Sequence, residues 1–235
     1  MATSSRPSPF LKARQFVALL MLALAAGLGA CSGRGAAEPY HRTAPTELYL
    51  YTPPNYQSGV ALELVLALHG PESDALDCFQ AWRQYAEDNG FALLCPALPY
   101  ADGLLDRVAA QERIGSALAV AYGEVSLRGT FFVTGFGEAG TLALSYASQY
   151  PQAITGVAAI ASREFPPLSP EGSRLPILIL AATGDRSGAD AAQAFADSLM
   201  QQGLPVRLVS LNERGEKLTS DDRRLTVEFL REILR

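Results

Sequence analysis

TFFVTGFGEAGTLAL, Thr130 to Leu144, is the stretch on which the fold is read. TFFVT (130–134) is a short aromatic and β-branched run bounded by glycine, the composition of a strand. Glu138 to Tyr150 reads as a helix and stops at Pro151, which cannot continue one. Only Gly135, Phe136 and Gly137 lie between, so the strand turns sharply into the helix. Upstream, Thr46 to Tyr51 alternates as a strand does and ends at Pro53-Pro54, and Asn55 to Gly59 is a turn. Ala61 to Leu68 (ALELVLAL) is nearly unbroken apolar sequence, the mark of a strand buried on both faces. Asp74 to Asn89 is a helix with Phe79, Trp82 and Ala86 on one stripe and Gly90 as its stop. Phe91 to Cys95 is a strand, and Asp106 to Tyr122 a helix carrying Ile114 and Leu118.

Downstream the alternation continues. Gly156 to Ala161 and Ile177 to Ala182 are strands, Asp190 to Gln202 is a helix ended by Gly203, and Val206 to Leu211 is a strand. Ser220 caps a last helix with Leu225, Phe229 and Ile233 inward. This order predicts an α/β domain: a mostly parallel central sheet of about seven strands flanked by helices on both faces. Ligand chemistry then belongs at the carboxyl ends of the strands. The longest irregular stretch, Ser162 to Pro176, is expected over that edge. There is no internal repeat and no second domain.

The 235 residues are 49% hydrophobic and 18% charged, which fits one globular domain with a large core behind an N-terminal segment. The net charge of −5, with no basic block, gives no support to nucleic-acid binding. No His, Cys and Asp spacing suggests a metal, and no cofactor is implied.

Residues 1–30 contain no acid. Arg6, Lys12 and Arg14 are followed by an apolar run from Phe16 to Ala30, shorter than the roughly 20 residues of a membrane span. The segment reads as a secretory signal. Its end, Leu28-Gly29-Ala30-Cys31, resembles the lipobox of bacterial lipoproteins, which implies acylation of Cys31 and removal of the peptide before it. The alternative is an ordinary signal peptide with an incidental cysteine. Ser32 after the cysteine implies, by the same resemblance, the outer membrane rather than retention at the inner one. The expected organisation is a signal at 1–30, a small and polar tether at 31–45, and the domain at 46–235.

Cys78 and Cys95 remain. Outside the cytoplasm they are a candidate disulfide. About 10 residues of helix, a turn at Asn89-Gly90 and about 4 strand residues bring both to the same end of the sheet. A helix packs about 10 Å from a sheet, however, whereas a disulfide needs Cα atoms within about 7 Å. A disulfide and two buried thiols both stay open.

Three places carry a family resemblance: Leu68-His69-Gly70, Thr134-Gly135-Phe136-Gly137-Glu138-Ala139-Gly140 and Thr183-Gly184-Asp185, each after a strand and in this order. They resemble the α/β-hydrolase family, and most nearly secreted esterases similar to polyhydroxybutyrate depolymerases and dienelactone hydrolases. The likeness runs from about Thr46 to the C-terminus and includes YTPPNY (51–56) and WRQYAEDNGFALLCP (82–96). It implies the α/β-hydrolase fold and carboxylic-ester hydrolysis by a serine in a Gly-x-Ser-x-Gly bend.

The serine position is Gly137, which has no side chain to acylate. The apex of such a bend is held at positive φ, where glycine relieves the strain. The base position falls in 212–218, where Lys217 is the matching residue. A solvated lysine, with a pKa near about 10.4, is a poor base at neutral pH. The oxyanion donors would be the N–H groups of Glu138 and of Pro71, which has none, with Glu72 as the alternative. Asp185 matches the acid, either as a retained pocket carboxylate or as a turn and helix-entry residue. His69 matches the family's structural histidine before the oxyanion loop. His41, the other histidine, falls in the tether.

The resulting expectation is an envelope lipoprotein with a non-catalytic hydrolase domain. It is anchored to the membrane through Cys31 and binds a small molecule or an envelope protein. His69, Tyr100, Glu138 and Asp185 are the candidate binding residues. Glu138, Glu164, Asp185, Arg163, Arg186 and Lys217 form either a mixed-charge rim for a zwitterion or peptide, or plain solvated surface. The competing expectation is an active esterase with a displaced nucleophile among Ser162, Ser187, Thr134 and Tyr100. A third is a structural lipoprotein whose cleft is plugged by Phe136, Tyr100 or Phe165.

Overall fold

A computed structural model describes residues 40–44, 46–211 and 217–235. The apolar run 16–30, Cys31 and most of the expected tether lie outside the described residues. Among the described residues, ten strands and five α-helices follow in chain order. They are β1 (Tyr40–Arg42), β2 (Leu48–Tyr51), β3 (Leu62–Leu68), α1 (Ala75–Asn89), β4 (Ala92–Pro96), β5 (Tyr100–Ala101) and β6 (Leu104–Leu105). Then come α2 (Arg107–Glu124), β7 (Leu127–Phe136), α3 (Glu138–Gln149), β8 (Ile154–Ile160), β9 (Ile177–Ala182), α4 (Arg186–Gln201), β10 (Val206–Leu211) and α5 (Ser220–Ile233). Among the described residues, no helix is long and apolar enough to cross a membrane.

Eight strands form one sheet in the order β1-β2-β4-β3-β7-β8-β9-β10. β1 and β2 pair antiparallel, as do β2 and β4; every later neighbour pairs parallel. The period of two along a strand sends neighbouring side chains to opposite faces. In β3, Leu64, Leu66 and Leu68 enter one core with Ile114 and Leu118 of α2, Leu142 of α3 and Leu199 of α4. Val65 and Ala67 enter the other core, with Phe79 and Trp82 of α1 and Phe229 and Leu230 of α5. A strand covered on both faces must be apolar at every position, and ALELVLAL is nearly so. Its one exception, Glu63, is buried and held by the Thr155 hydroxyl at 3.1 Å and Arg128 at 3.5 Å.

Helix ends follow local chemistry. The Asp74 side chain accepts from the Asp77 N–H, and Gly90 closes α1 at φ 71°. The Asp106 carboxylate accepts from the N–H groups of Val108 and Ala109. Thr219, one residue before the expected Ser220, caps α5 in a reciprocal box with Asp222.

Two departures from the expected layout matter. The sheet starts at Tyr40, inside the stretch expected as tether, because β1 pairs with β2 and so adds an eighth strand. Its side chains are exposed and show no apolar alternation. What marks its register is His41, stacked on Tyr49 with ring centroids 4.3 Å apart and 3.3 Å from Glu47. The second departure is the hairpin of β5 and β6, absent from the expected layout. Its two-residue loop, Asp102-Gly103, has φ of 51° and 78°, the double positive φ that a tight hairpin requires.

Candidate active site

Parallel register places the ends of β3, β7, β8 and β9 side by side. Leu68 pairs with Gly135, Phe136 with Ile160, and Ile160 with Leu180. The three motifs singled out from sequence therefore leave the sheet at one edge. At the bend, Gly137 takes φ 62° and ψ −126° and caps α3. Its N–H donates to the Ile160 carbonyl at 2.8 Å, and its carbonyl accepts from the Gly140 N–H at 3.0 Å. A Cβ at residue 137 would meet no atom within 4 Å, so the absence of a side chain there is not imposed by crowding. Gly135 differs: a Cβ there would overlap the Ala139 carbonyl. The bend therefore needs glycine at 135 for space and favours it at 137 for conformation.

His69 is buried, and both its nitrogens are engaged by backbone. Nδ1 donates to the Gly70 carbonyl at 2.9 Å, and Nε2 accepts from the Leu98 N–H at 2.9 Å. One neutral tautomer satisfies both contacts. Burial pushes the imidazole below its ordinary pKa. The residue fastens the end of β3 to the segment after β4. Next in the chain, Pro71 and Glu72 form an exposed turn. Proline offers no N–H there, while Glu138 opens α3 with one of the unshared N–H groups of a helix start.

Asp185 caps α4, accepting from the Gly188 N–H at 3.2 Å, and receives the Arg163 Nε at 2.6 Å. The Gly188 N–H foremost, then Arg163, hold its carboxyl below the usual range. It does the work of a helix-entry residue, which also moves the start of α4 from the expected Asp190 to Arg186. Lys217 is exposed between β10 and α5; residues 212–216, the rest of the base segment, lie outside the described residues.

Four of the expected rim charges are paired, while Arg186 and Lys217 are exposed. Arg163 holds Asp185, and Arg107 reaches Glu164 at 2.7 Å and Glu138 at 3.6 Å. Sequence reasoning missed Arg107. The signal was a cation in the first turn of a helix, where the macrodipole disfavours it. It also missed the hairpin, whose Asp102-Gly103 is a strong turn signal. The hairpin bridges the gap between the ends of β3 and β7. Tyr100 Oη donates to the His69 carbonyl at 3.1 Å, and the Leu105 N–H donates to Glu138 Oε2 at 3.1 Å.

Of the hydroxyls named for a displaced nucleophile, Tyr100 lies beside the His69 ring, but its Oη donates to the His69 carbonyl, and both ring nitrogens are bound to backbone. Ser162, buried behind Ala161 at φ 52°, donates to the Gly137 carbonyl at 3.1 Å. Thr134 is buried at 1% exposure. The Tyr100 phenol is pushed up by burial, and Ser187 lies exposed in the first turn of α4. Of the expected plugs, Phe136 lies against Gly70, Tyr100 against His69, and Phe165 stacks on Phe195 of α4 at 5.0 Å. Among the described residues, no group of three His, Cys, Asp or Glu could hold a metal ion.

No family model matches this sequence, and no curated protein matches it. Solved structures do. Esterase PE8 superposes with a TM-score of 0.60 at 21% identity, over 83% of this chain and 99% of its own. Est1E from Butyrivibrio proteoclasticus gives 0.63 at 14% identity, over 84% and 99%. FphF, a fluorophosphonate-binding serine hydrolase of Staphylococcus aureus, gives 0.61 at 13% identity, over 83% and 96%. At these identities the likeness is one of fold: the chain has the α/β-hydrolase fold of these esterases.

The bend and the histidine each yield an expected outcome. Gly137→Ala should cost about 1–3 kcal/mol, the strain of positive φ alone, whereas Gly135→Ala should cost more, because it drives Cβ into backbone. Urea denaturation of the two variants checks the ordering, and equal losses would show that the bend is not the close approach described here. For His69, the folded pKa lies below the unfolded value, so the unfolded chain takes the proton first on acidification. The stability from neutral His69 is full above about pH 6.5 and drains as pH falls through the folded value. Unfolding curves between about pH 7.5 and about pH 5 should show a steeper loss for the wild type than for His69→Gln. Parallel curves would contradict the assignment.

Proposed function

We propose that this chain is an envelope lipoprotein, acylated at Cys31, whose hydrolase-fold domain performs no serine-hydrolase chemistry and serves to bind a small molecule or an envelope protein. One observation carries the reading: the apex of the bend, in the conformation a nucleophile would occupy, is Gly137 with open space above it. Acyl transfer needs a nucleophile, a base to take its proton, a carboxylate to orient that base and donors for the oxyanion. The bend and the Glu138 N–H support such a reading of the edge, but residue 137 has no side chain, the Asp185 carboxylate is bound to the Gly188 N–H and Arg163, and the imidazole at this edge has both nitrogens committed to backbone. His41 sits on edge strand β1, four places from β7 in the sheet.

The same contacts weigh against a displaced nucleophile, since Ser162 and Tyr100 donate to backbone carbonyls. A binding role has support at the rim. Leu104 at the hairpin and Val108 at the start of α2 are 72% and 71% exposed beside the Glu138 anchor, apolar surface that a partner would cover.

Full-length protein should remain unlabelled by a fluorophosphonate probe under conditions that label FphF, and should not turn over a p-nitrophenyl ester above buffer. Gly137→Ser alone should stay inactive, and adding Lys217→His should recover trace activity. Labelling of the wild type at any hydroxyl would overturn the non-catalytic reading, and recovery by the single change would overturn the account of the base. Anchoring is tested separately. Cys31→Ser should move the protein from the membrane pellet to the soluble fraction of cells, and an unchanged pellet would remove Cys31 as the anchor.

A further inference from the structure

We infer that Cys78 and Cys95 are a disulfide site that ties the first turn of α1 to β4 when the folding chain meets a disulfide-bearing oxidant. Their sulfurs lie 2.9 Å apart, although the two residues are 17 positions apart in the chain. Cys78 is 5% exposed and Cys95 is fully buried. Both stand in the same core cluster, with Tyr49, Val65, Ala67 and Phe79. The usual helix-to-sheet spacing does not separate them, because both side chains point into that one interface. A shift of under about 1 Å brings the sulfurs to bonding distance. Cys78 Sγ also lies 3.4 Å from the Ala67 carbonyl, near the end of β3.

The position gives the link a structural consequence. β3 ends at Leu68, and the chain then passes His69, Gly70 and the Pro71 turn before entering α1. A covalent tie from Cys78 to Cys95 fixes the far end of that loop to β4, while His69 fixes its near end to Leu98. The loop at the site edge is then braced from both sides.

The exchange balances. One cysteine thiolate attacks the oxidant's disulfide, forms a mixed disulfide and expels one thiol. The second cysteine attacks the protein sulfur of that mixed disulfide, closes the Cys78–Cys95 bond and expels the second thiol. The two cysteines lose two electrons and two protons, and the oxidant's two sulfurs gain them. Burial pushes the Cys95 thiol well up in the folded chain, so the attack belongs to folding, before α1 docks.

The test is refolding of the full chain from denaturant, with oxidised glutathione in one arm and a phosphine reductant in the other. Arg83 is the one tryptic site between the cysteines. A digest therefore places them on separate peptides that stay together only through the bond. The oxidised arm should contain the linked pair, and it should melt roughly 6–12 °C above the reduced arm, as a loop of this size implies. A Cys78→Ala/Cys95→Ala double variant should melt at one temperature in both arms. Alkylation of both cysteines in the oxidised arm, or equal melting of the two wild-type arms, would overturn the inference.

Discussion

The structure depends on a backbone bend. β7 runs through the middle of the sheet, and α3 must start at its end and fold back over one face. Three residues make that reversal, and they do so only if residue 137 takes φ 62° while Gly135 lets the Ala139 carbonyl approach. The Gly137 N–H, bound to the Ile160 carbonyl, locks the bend to β8. These are requirements of chain geometry and hold whatever chemistry the edge performs. In a hydrolase the same bend lifts a serine out of the sheet and carries the strain of a Cβ at positive φ. With glycine that strain disappears and the bend remains.

Four polar groups around the bend are spent on architecture. His69 joins two segments through its ring, Asp185 starts a helix, and Glu138 receives the hairpin while Arg107 ties it to Glu164. Each has partners that satisfy it, as a half-buried polar group requires. A residue held in this way is well placed to shape a surface and poorly placed to move a proton. His69 would have to give up the Leu98 N–H before it could accept one from a substrate.

Much of this was legible in the sequence because the signals were local and strong. Apolar runs identified the central strands, and Asp74, Asp106 and Gly90 marked helix ends by rules that act within one turn. Gly-x-Gly after TFFVT placed the bend. β1 was not legible, since three exposed residues carry no apolar period and their pairing is set by Tyr49, which stands eight residues on from His41. The hairpin was signalled by Asp102-Gly103, but two-residue strands are too short for a period to show. The rim pairings were beyond reach: Arg107 meets Glu164 across 57 positions, a contact fixed only by how α2 and the loop after β8 share one edge. The two cysteines stood between these cases, with a separation that sequence could bound but not resolve.

The positions that the sequence resemblance picks out divide along a physical line. Gly135, His69 and Asp185 each have a use in this fold that needs no substrate: space at a bend, a tie between two segments, a helix cap. A nucleophile at 137 or a base near 217 would have no such second use. A Cβ at 137 would add the strain of positive φ and, beyond its chain neighbours, would meet nothing within 4 Å. Positions held by folding would persist under selection for stability alone, while positions held by chemistry alone would drift. A relocated active site would predict a different pattern, with a second imidazole freed from backbone and a hydroxyl turned toward it. On this edge the hydroxyls of Ser162 and Tyr100 turn toward carbonyls instead.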